Sequence, residues 1–381
     1  MSSGNRQPLR ALIVGGGVAG LEAALALRNL AGERVTTTML TPELHFVYRP
    51  MRVREPFGDR AARRYPLQEI ACDAGFELRQ DALKRLDAQG QMVYTEARER
   101  LSYDALLLAL GTVSYRRFRH ALTVDDRRLD EQLHGLIQDV EQGYIRKLAF
   151  IIPNPAPWPL PVYELALMTA RRAWDMNIEL SITVVTPEDA PLAIFGQPVS
   201  RAINELLEGH GIFVVSSTEC KVPRRGEVVI HTGGHRLYVD RVIALPELLG
   251  PSVPGVPRLT PHGFIPIDPY CKVVGTERVF AAGDATDFTI KHGGIAAQQA
   301  DVAAECIAAL AGEQIEPSRF EPRLHAMLLG ANKPLYITAD VPGNGDPSSG
   351  ISEKPAWSPP TKIVAKHLAP YLDSLNRAAE R

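Results

Sequence analysis

Cysteine is scarce and scattered in this 381-residue chain. No two of Cys72, Cys220, Cys271 and Cys306 lie within a few residues of each other. That spacing excludes a C-x-x-C redox pair and a paired-cysteine zinc knuckle. Four reduced thiols are expected, as in a cytoplasmic protein, and no metal site. Charge of one sign is also lacking. The 42 basic and 44 acidic residues leave a formal net charge of −2, too little for a global attraction to nucleic acid or anionic lipid. No apolar run approaches the ~18–20 residues that span a bilayer. The run that begins at Ala11 is broken by Gly15-Gly16-Gly17 and then by Glu22, so it does not read as a signal peptide. The expectation is a soluble, cytoplasmic chain, at most peripheral to the inner face of a membrane.

What is present is the composition of an ordinary globular protein, 45% apolar and 23% charged, which excludes disordered, collagen-like and disulfide-scaffold classes. The length predicts two domains and a tail. Leu9 to Val14 reads as a buried strand, Val18 to Leu30 as a helix and Val35 to Leu40 as a second strand, one β-α-β unit. Ala105 to Leu110 is all apolar, as a buried parallel strand requires. A second such pattern follows: strand Leu148 to Ile152, helix Val162 to Asp175, strand Leu180 to Val185, helix 198–209 and strand Ile212 to Ser216. The fold class is therefore α/β, with two Rossmann-like dinucleotide-binding domains. Strand-then-helix returns at Val279 to Ala282 and Ala296 to Leu310. Residues 341–360 are rich in Pro, Gly and Ser and read as a connector. A last helix is expected from Lys362 to about Arg377, interrupted by Pro370.

The three glycines of Gly15-x-Gly17-x-x-Gly20 sit between the first strand and the first helix. The first permits the tight turn, the second lets backbone approach a pyrophosphate, and the third lets helix pack on strand. The phosphate would rest on helix N–H groups, those of Val18 and Ala19 among them, where the macrodipole favours negative charge. About 20 residues further on, an acidic side chain ordinarily holds a ribose hydroxyl. Thr41 stands there instead, followed by Pro42, with Glu43 two residues late.

Val279-Phe280-Ala281-Ala282-Gly283-Asp284 resembles the strand of the two-dinucleotide-domain flavoproteins that ends in Gly-Asp. Leu108-Ala109-Leu110-Gly111 resembles that family's A-T-G turn, with Leu110 in place of threonine, and His45-Phe46-Val47-Tyr48-Arg49-Pro50 resembles its stretch beside the isoalloxazine. Within the superfamily the likeness is closest to the sulfide:quinone oxidoreductase branch, with type II NADH dehydrogenases next. It covers about residues 8–320, and the segment from Trp357 to Leu372 also looks like the tails of bacterial members. The resemblance implies FAD as cofactor, held by Gly15, Gly17, Val18, Ala19, Gly20, Thr41, Pro42, Arg49, Ala82, Ala109, Gly111, Gly283, Asp284, Gly294 and Ile295. Asp284 would accept hydrogen bonds from the ribitol. The helix after Lys291-His292-Gly293-Gly294 would point its N-terminus at the flavin edge where charge develops on reduction, with Lys291 beside it. The resemblance also implies a discontinuous FAD domain: 1–115 and 255–322, with 116–254 inserted and 323–381 as an interface region.

The second domain lacks its glycine loop. Its first strand runs into Pro153-Asn154-Pro155-Ala156-Pro157-Trp158-Pro159-Leu160-Pro161-Val162-Tyr163-Glu164. Prolines remove the donors that a phosphate cradle needs, so nicotinamide binding in the usual manner is disfavoured. The sulfide:quinone branch has such a loop, but its first cysteine falls at Trp158 here. Its second has no counterpart between Leu328 and Asp340, so sulfide oxidation through thiolates is not expected. Glu164 matches a glutamate kept near the flavin or quinone pocket and is the candidate proton relay, with Lys291 the second catalytic candidate. Three functions remain open. The first is an FAD-dependent oxidoreductase passing electrons from an unidentified donor to a quinone or other small acceptor. The second is an NAD(P)H dehydrogenase binding its nicotinamide atypically, with Glu188 or Thr186 at the ribose. The third is a non-turnover flavin-binding sensor or partner protein. The tail has apolar residues at 363, 364, 368, 371 and 372, and packing on the body or on a second subunit is its expected role.

Overall fold

The computed structural model describes residues 7–58, 61–124, 129–156, 158–258, 262–330, 332–341 and 348–379. Its helices, in chain order, are α1 (Val18–Ala31), α2 (Leu67–Ala74), α3 (Leu129–Glu141), α4 (Leu160–Asp175), α5 (Gln197–Gly209), α6 (Gly293–Leu310) and α7 (Leu368–Ala379). Two parallel five-stranded sheets carry them. In the first, the order is Val279–Ala281, Ala105–Leu108, Leu9–Val14, Val35–Leu40 and Glu77–Arg79. Leu9 pairs with Val35 and Val14 with Leu40, while Val14 also meets Leu108. The chain thus leaves this sheet after Leu108 and re-enters it beside Ala105–Leu108 more than 150 residues later. The second sheet has the order Leu122–Thr123, Arg241–Ala244, Lys147–Ile151, Ser181–Val185 and Ile212–Val215.

The central strands are apolar on both faces because both are covered: helices lie on one face of each sheet, and on the other a three-stranded antiparallel sheet, Leu83–Asp87, Met92–Thr95 and Arg100–Ser102 over the first and Cys220–Arg224, Glu227–Ile230 and Arg236–Tyr238 over the second. Ala105, Leu106, Leu107 and Leu108 are all fully buried. Helices α1 and α6 lie against each other and are rich in alanine at the contact: Ala19, Ala23 and Ala26 on one, Ala296, Ala300, Ala303 and Ala304 on the other. Small side chains let the backbones approach closely, which brings the two helix N-termini to the end of the sheet where its strands stop. That end is the ligand-binding crevice of open α/β sheets.

An antiparallel sheet of Arg323–Leu328, Leu335–Asp340 and Ser349–Ser352 follows α6. Its last strand lies inside the stretch read from sequence as a connector, of which residues 342–347 fall outside the described residues. The last helix differs from expectation. It begins at Leu368, not Lys362, so Pro370 sits in its first turn. There the missing N–H is one the helix leaves unpaired anyway, and the ring starts the helix rather than breaking it. Residues 361–367 run as an irregular strap along the body. Among the described residues, no helix is long and apolar enough to cross a membrane.

Candidate functional site

The glycine loop is built by close backbone approach. A Cβ on Gly15, whose φ is +119°, would stand 2.1 Å from the Ala109 carbonyl oxygen, and one on Gly20 would stand 1.9 Å from that of Gly15. Gly15 donates its N–H to the Leu40 carbonyl at 2.9 Å, locking the loop to the second strand. Gly17 is different. It is the N-cap of α1, offers no side-chain cap, and a Cβ there would meet nothing within 4 Å. Donors at the start of α1 thus face open space in front of a positive helix end. The cradle fits a pyrophosphate. Gly111, with φ +66°, likewise faces space on the side where Cβ would be.

Gly283 adopts φ +82° and sits between the methyl groups of Ala19 and Ala296, 3.4 and 3.3 Å from where its Cβ would be. The structure therefore gathers Gly17 to Gly20, the Gly283-Asp284 turn and the start of α6 at Gly294 and Ile295. A buried polar network shapes the turn. Gly283 donates its N–H to Gln299 Oε1 at 2.8 Å, and Thr286 Oγ1 donates to the Gly283 carbonyl at 2.9 Å. Gln299, wholly buried in α6, was invisible as a site residue in the sequence, where it reads as one polar residue in an alanine helix.

Thr41 is buried below Gly16, and its Oγ1 accepts the Glu43 N–H at 3.3 Å. Pro42 and Glu43 are exposed. Ala82 lies past the edge strand, its carbonyl accepting from the Glu96 N–H. Arg49 is exposed at the start of a 3₁₀ helix, Arg49–Phe57. Lys291 is buried and donates to the carbonyls of Thr286 at 2.5 Å and Phe288 at 2.6 Å, with its ammonium 3.9 Å from the Phe264 ring centroid. Burial pulls its pKa down to about 8, against the attraction of Asp284 and Asp287. This geometry pins the loop that follows Asp284.

Glu164 has a partner that spacing could not reveal. Its carboxylate accepts from Lys362 Nζ at 2.6 and 2.7 Å and from the Leu329 N–H at 2.9 Å, and both side chains are buried. Lys362 Nζ also donates to the Pro50 carbonyl at 3.1 Å. Burial raises the Glu164 pKa above the ordinary carboxylate value, with Lys362 acting the other way. Next along the strap, Ile363 donates its N–H to the Tyr48 hydroxyl at 2.9 Å and rests its side chain against Gly293, the first residue of α6. The strap, α4 and the aromatic stretch after the second strand thus meet at the α6 N-terminus.

Trp158, at the position of the expected thiol, stacks on His292 with centroids 4.4 Å apart and meets Phe195 edge-on. His292 Nδ1 caps α6 by accepting the Gly294 N–H at 3.2 Å. Burial, with Lys362 and His325 nearby, drives its pKa down to about 3, so the ring is neutral. Just past the strand Ser181–Val185 of the second sheet, Glu188 is half-buried. Its Oε2 accepts from the Tyr163 hydroxyl at 2.7 Å and from Thr186 Oγ1 at 3.0 Å, and burial lifts its pKa to about 6.

Residues 7–142 and 164–300 match the family described as pyridine nucleotide-disulphide oxidoreductase. The chain belongs to that family. It is an FAD-dependent oxidoreductase. The stretch between the two matched parts holds the proline-rich loop. A curated relative, the alternative NAD(P)H-ubiquinone oxidoreductase C1 of Arabidopsis thaliana, is 25% identical over 393 aligned positions, covering 86% of this chain and 72% of the relative. The sulfide:quinone oxidoreductase of Aquifex aeolicus superposes with a TM-score of 0.80 at 17% identity, over 97% of this chain and 90% of that one. A ferredoxin reductase of Rhodopseudomonas palustris gives 0.65 at 19% identity, over 88% and 84%. At those identities the structural likenesses establish the two-dinucleotide-domain fold. The family resemblance read from the Gly-Asp strand and the glycine loop is thereby borne out.

Proposed function

We propose that this flavoprotein passes electrons from a small donor to a quinone or another small acceptor, without a thiolate and without a nicotinamide cradle of the usual kind. When bound, FAD supplies the electron-accepting and electron-donating chemistry. The residues that would hold it are Gly15 to Gly20 at the pyrophosphate, Thr41, Pro42 and Ala82 toward the adenosine end, and Ala109, Gly111, Gly283 and Asp284 along the ribitol. Arg49, Gly294 and Ile295 would stand at the ring. The domain division at 115/116, 254/255 and 322/323 goes with this reading, supported by the return of Val279–Ala281 to the first sheet.

One observation carries the proposal: the buried Glu164–Lys362 pair beside the α6 N-terminus. Reduction of a quinone consumes protons, and a carboxylate with raised affinity for a proton, touching an ammonium, can hold one and hand it on. In that role Glu164 holds the proton at a carboxylate oxygen and releases it toward the reduced acceptor, while the Lys362 ammonium and the Leu329 N–H keep the carboxylate oriented. Trp158 takes the position of the family thiol and packs on His292 and Phe195, so sulfide chemistry through a persulfide has no anchor. Peripheral contact with a membrane and small-molecule electron partners accord with a quinone-type acceptor.

The second reading is NAD(P)H as donor, favoured by the likeness to an NAD(P)H-ubiquinone oxidoreductase. Against it stand the proline loop and Glu188, whose carboxylate is held by Tyr163. Anaerobic titration of the FAD-loaded protein with NADH, NADPH and sulfide in turn separates the two. The expected result is a flavin band left unbleached by all three. Rapid bleaching by NADH or NADPH selects the second reading, and bleaching by sulfide alone contradicts the role given to Trp158.

A further inference from the structure

The strap and α7 are tied to the body by Lys362, by Tyr48, and by a third contact of another kind. Glu22 of α1 is wholly buried, and its two carboxyl oxygens accept the N–H groups of His367 at 2.8 Å and Leu368 at 2.5 Å, at the start of α7. A carboxylate there satisfies donors that a helix leaves unpaired and faces its positive end. A carboxyl oxygen of Asp301 on α6 lies within 4.8 Å of one of the Glu22 carboxyl oxygens. Asp301 Oδ1, buried, has no hydrogen-bond partner, and His367 Nε2 stands 3.8 Å from it. Two buried carboxyls this close hold one proton between them, since both ionised would repel at close range. Burial raises the Glu22 pKa too, but the His367 and Leu368 N–H groups oppose it, and Asp301 has no such donors among the described residues, so of the two Glu22 carries the charge. Asp301 carries the proton.

We propose that Glu22 and Asp301 form a one-proton catch for the C-terminal segment 361–379. While the proton is present, the start of α7 is held against α1 and α6. Its loss sets two carboxylates against each other at the docking point and frees the segment, and with it Lys362 from Glu164. As regulation of that site the inference rests on the function proposed above; the catch itself does not.

The groups facing Asp301 are Glu22 from α1, Glu305 from its own helix, and Lys366 and His367 from the strap. Burial, Glu22 and Glu305 favour the protonated acid, while Lys366 opposes them, and the balance lifts the Asp301 pKa to about 8. The His367 pKa is lowered by burial and by Lys366, so the ring adds no charge in the neutral range. A carboxyl whose value is raised on docking contributes fully only at acid pH. The contribution declines as pH rises and is gone once pH passes the docked value.

The test is hydrogen exchange on the full FAD-loaded chain at about pH 6 and about pH 9, with each amide corrected for its intrinsic rate. Amides of Leu9–Val14 serve as the reference. Protection across 361–379 should fall about tenfold or more between the two in the wild type, while the reference strand stays constant. Asp301→Asn, which cannot ionise, should show little change with pH. An unchanged wild-type profile, or an equal fall in Asp301→Asn, overturns the catch; should that variant not fold, Asp301→Ser is read against the same two outcomes. Exchange needs no donor or acceptor, so a protein that never reduces a quinone can still show the catch, and failure of the catch leaves the redox assay untouched.

Discussion

Replacing Lys362 by methionine removes one half of a wholly buried ion pair and leaves Glu164 with only the Leu329 N–H as partner. Breaking such a pair from one side costs about 3–5 kcal/mol, because an uncompensated charge stays in the interior. Removing both halves, as in Glu164→Leu with Lys362→Met, is far milder, since an apolar replacement of similar volume is often neutral. Thermal unfolding followed by circular dichroism should therefore place the single variant about 5–10 °C below wild type, and the double variant much closer to it. The pH dependence has a defined sign. The Glu164 pKa is already raised in the folded chain, so its contribution is complete below the ordinary carboxylate range and declines as pH rises through the folded value. Without Lys362, which lowers that value, the decline should extend to higher pH and deepen. If Lys362→Met unfolds at the wild-type temperature with an unchanged pH profile, Glu164 is not a buried carboxylate facing Lys362 and the proton-holding role falls with it.

Other outcomes follow from the same geometry. Gly17→Val should fold, since its side chain enters open space, yet purify without stoichiometric flavin, whereas Gly15→Ala should lower stability because its Cβ meets the Ala109 carbonyl; absorbance and unfolding midpoints check both. Gln299→Met leaves the Gly283 N–H unpaired in the interior, so a loss of about 1–3 kcal/mol and weaker FAD retention are expected in denaturation and in flavin-release assays. Tyr163→Phe removes the hydroxyl that stabilises ionised Glu188, so the Glu188 pKa should rise further above about 6, read by carboxyl-carbon NMR titration.

Local constraints were legible in the sequence, and long-range ones were not. The glycine loop is readable because the positive φ at Gly15 and the approach of Gly20 to the Gly15 carbonyl are reasons that lie within six residues, whereas the Ala109 carbonyl that also crowds Gly15 comes from a distant strand and was not legible. The Gly283-Asp284 turn could be recognised, but not the glutamine on α6 that shapes it, because Gln299 matters only after the helix packs on the turn. Glu164 could be singled out beside its proline loop, while Lys362 lies 198 residues away on a strap that sequence pattern read as helix. Pro370 misled there: proline breaks a helix interior but suits a first turn, and periodicity alone does not say which position it holds. Trp158 was legible as the loss of a thiol, and its stacking on His292 was not.

The central claim is tested most directly by loading the protein with FAD, reducing it anaerobically with dithionite, and adding a water-soluble quinone while following the flavin band. The account predicts a stoichiometric flavin band that bleaches and then returns rapidly with the quinone, and more slowly in Glu164→Gln. A band that never forms, or a reduced protein that the quinone does not reoxidise, would contradict it.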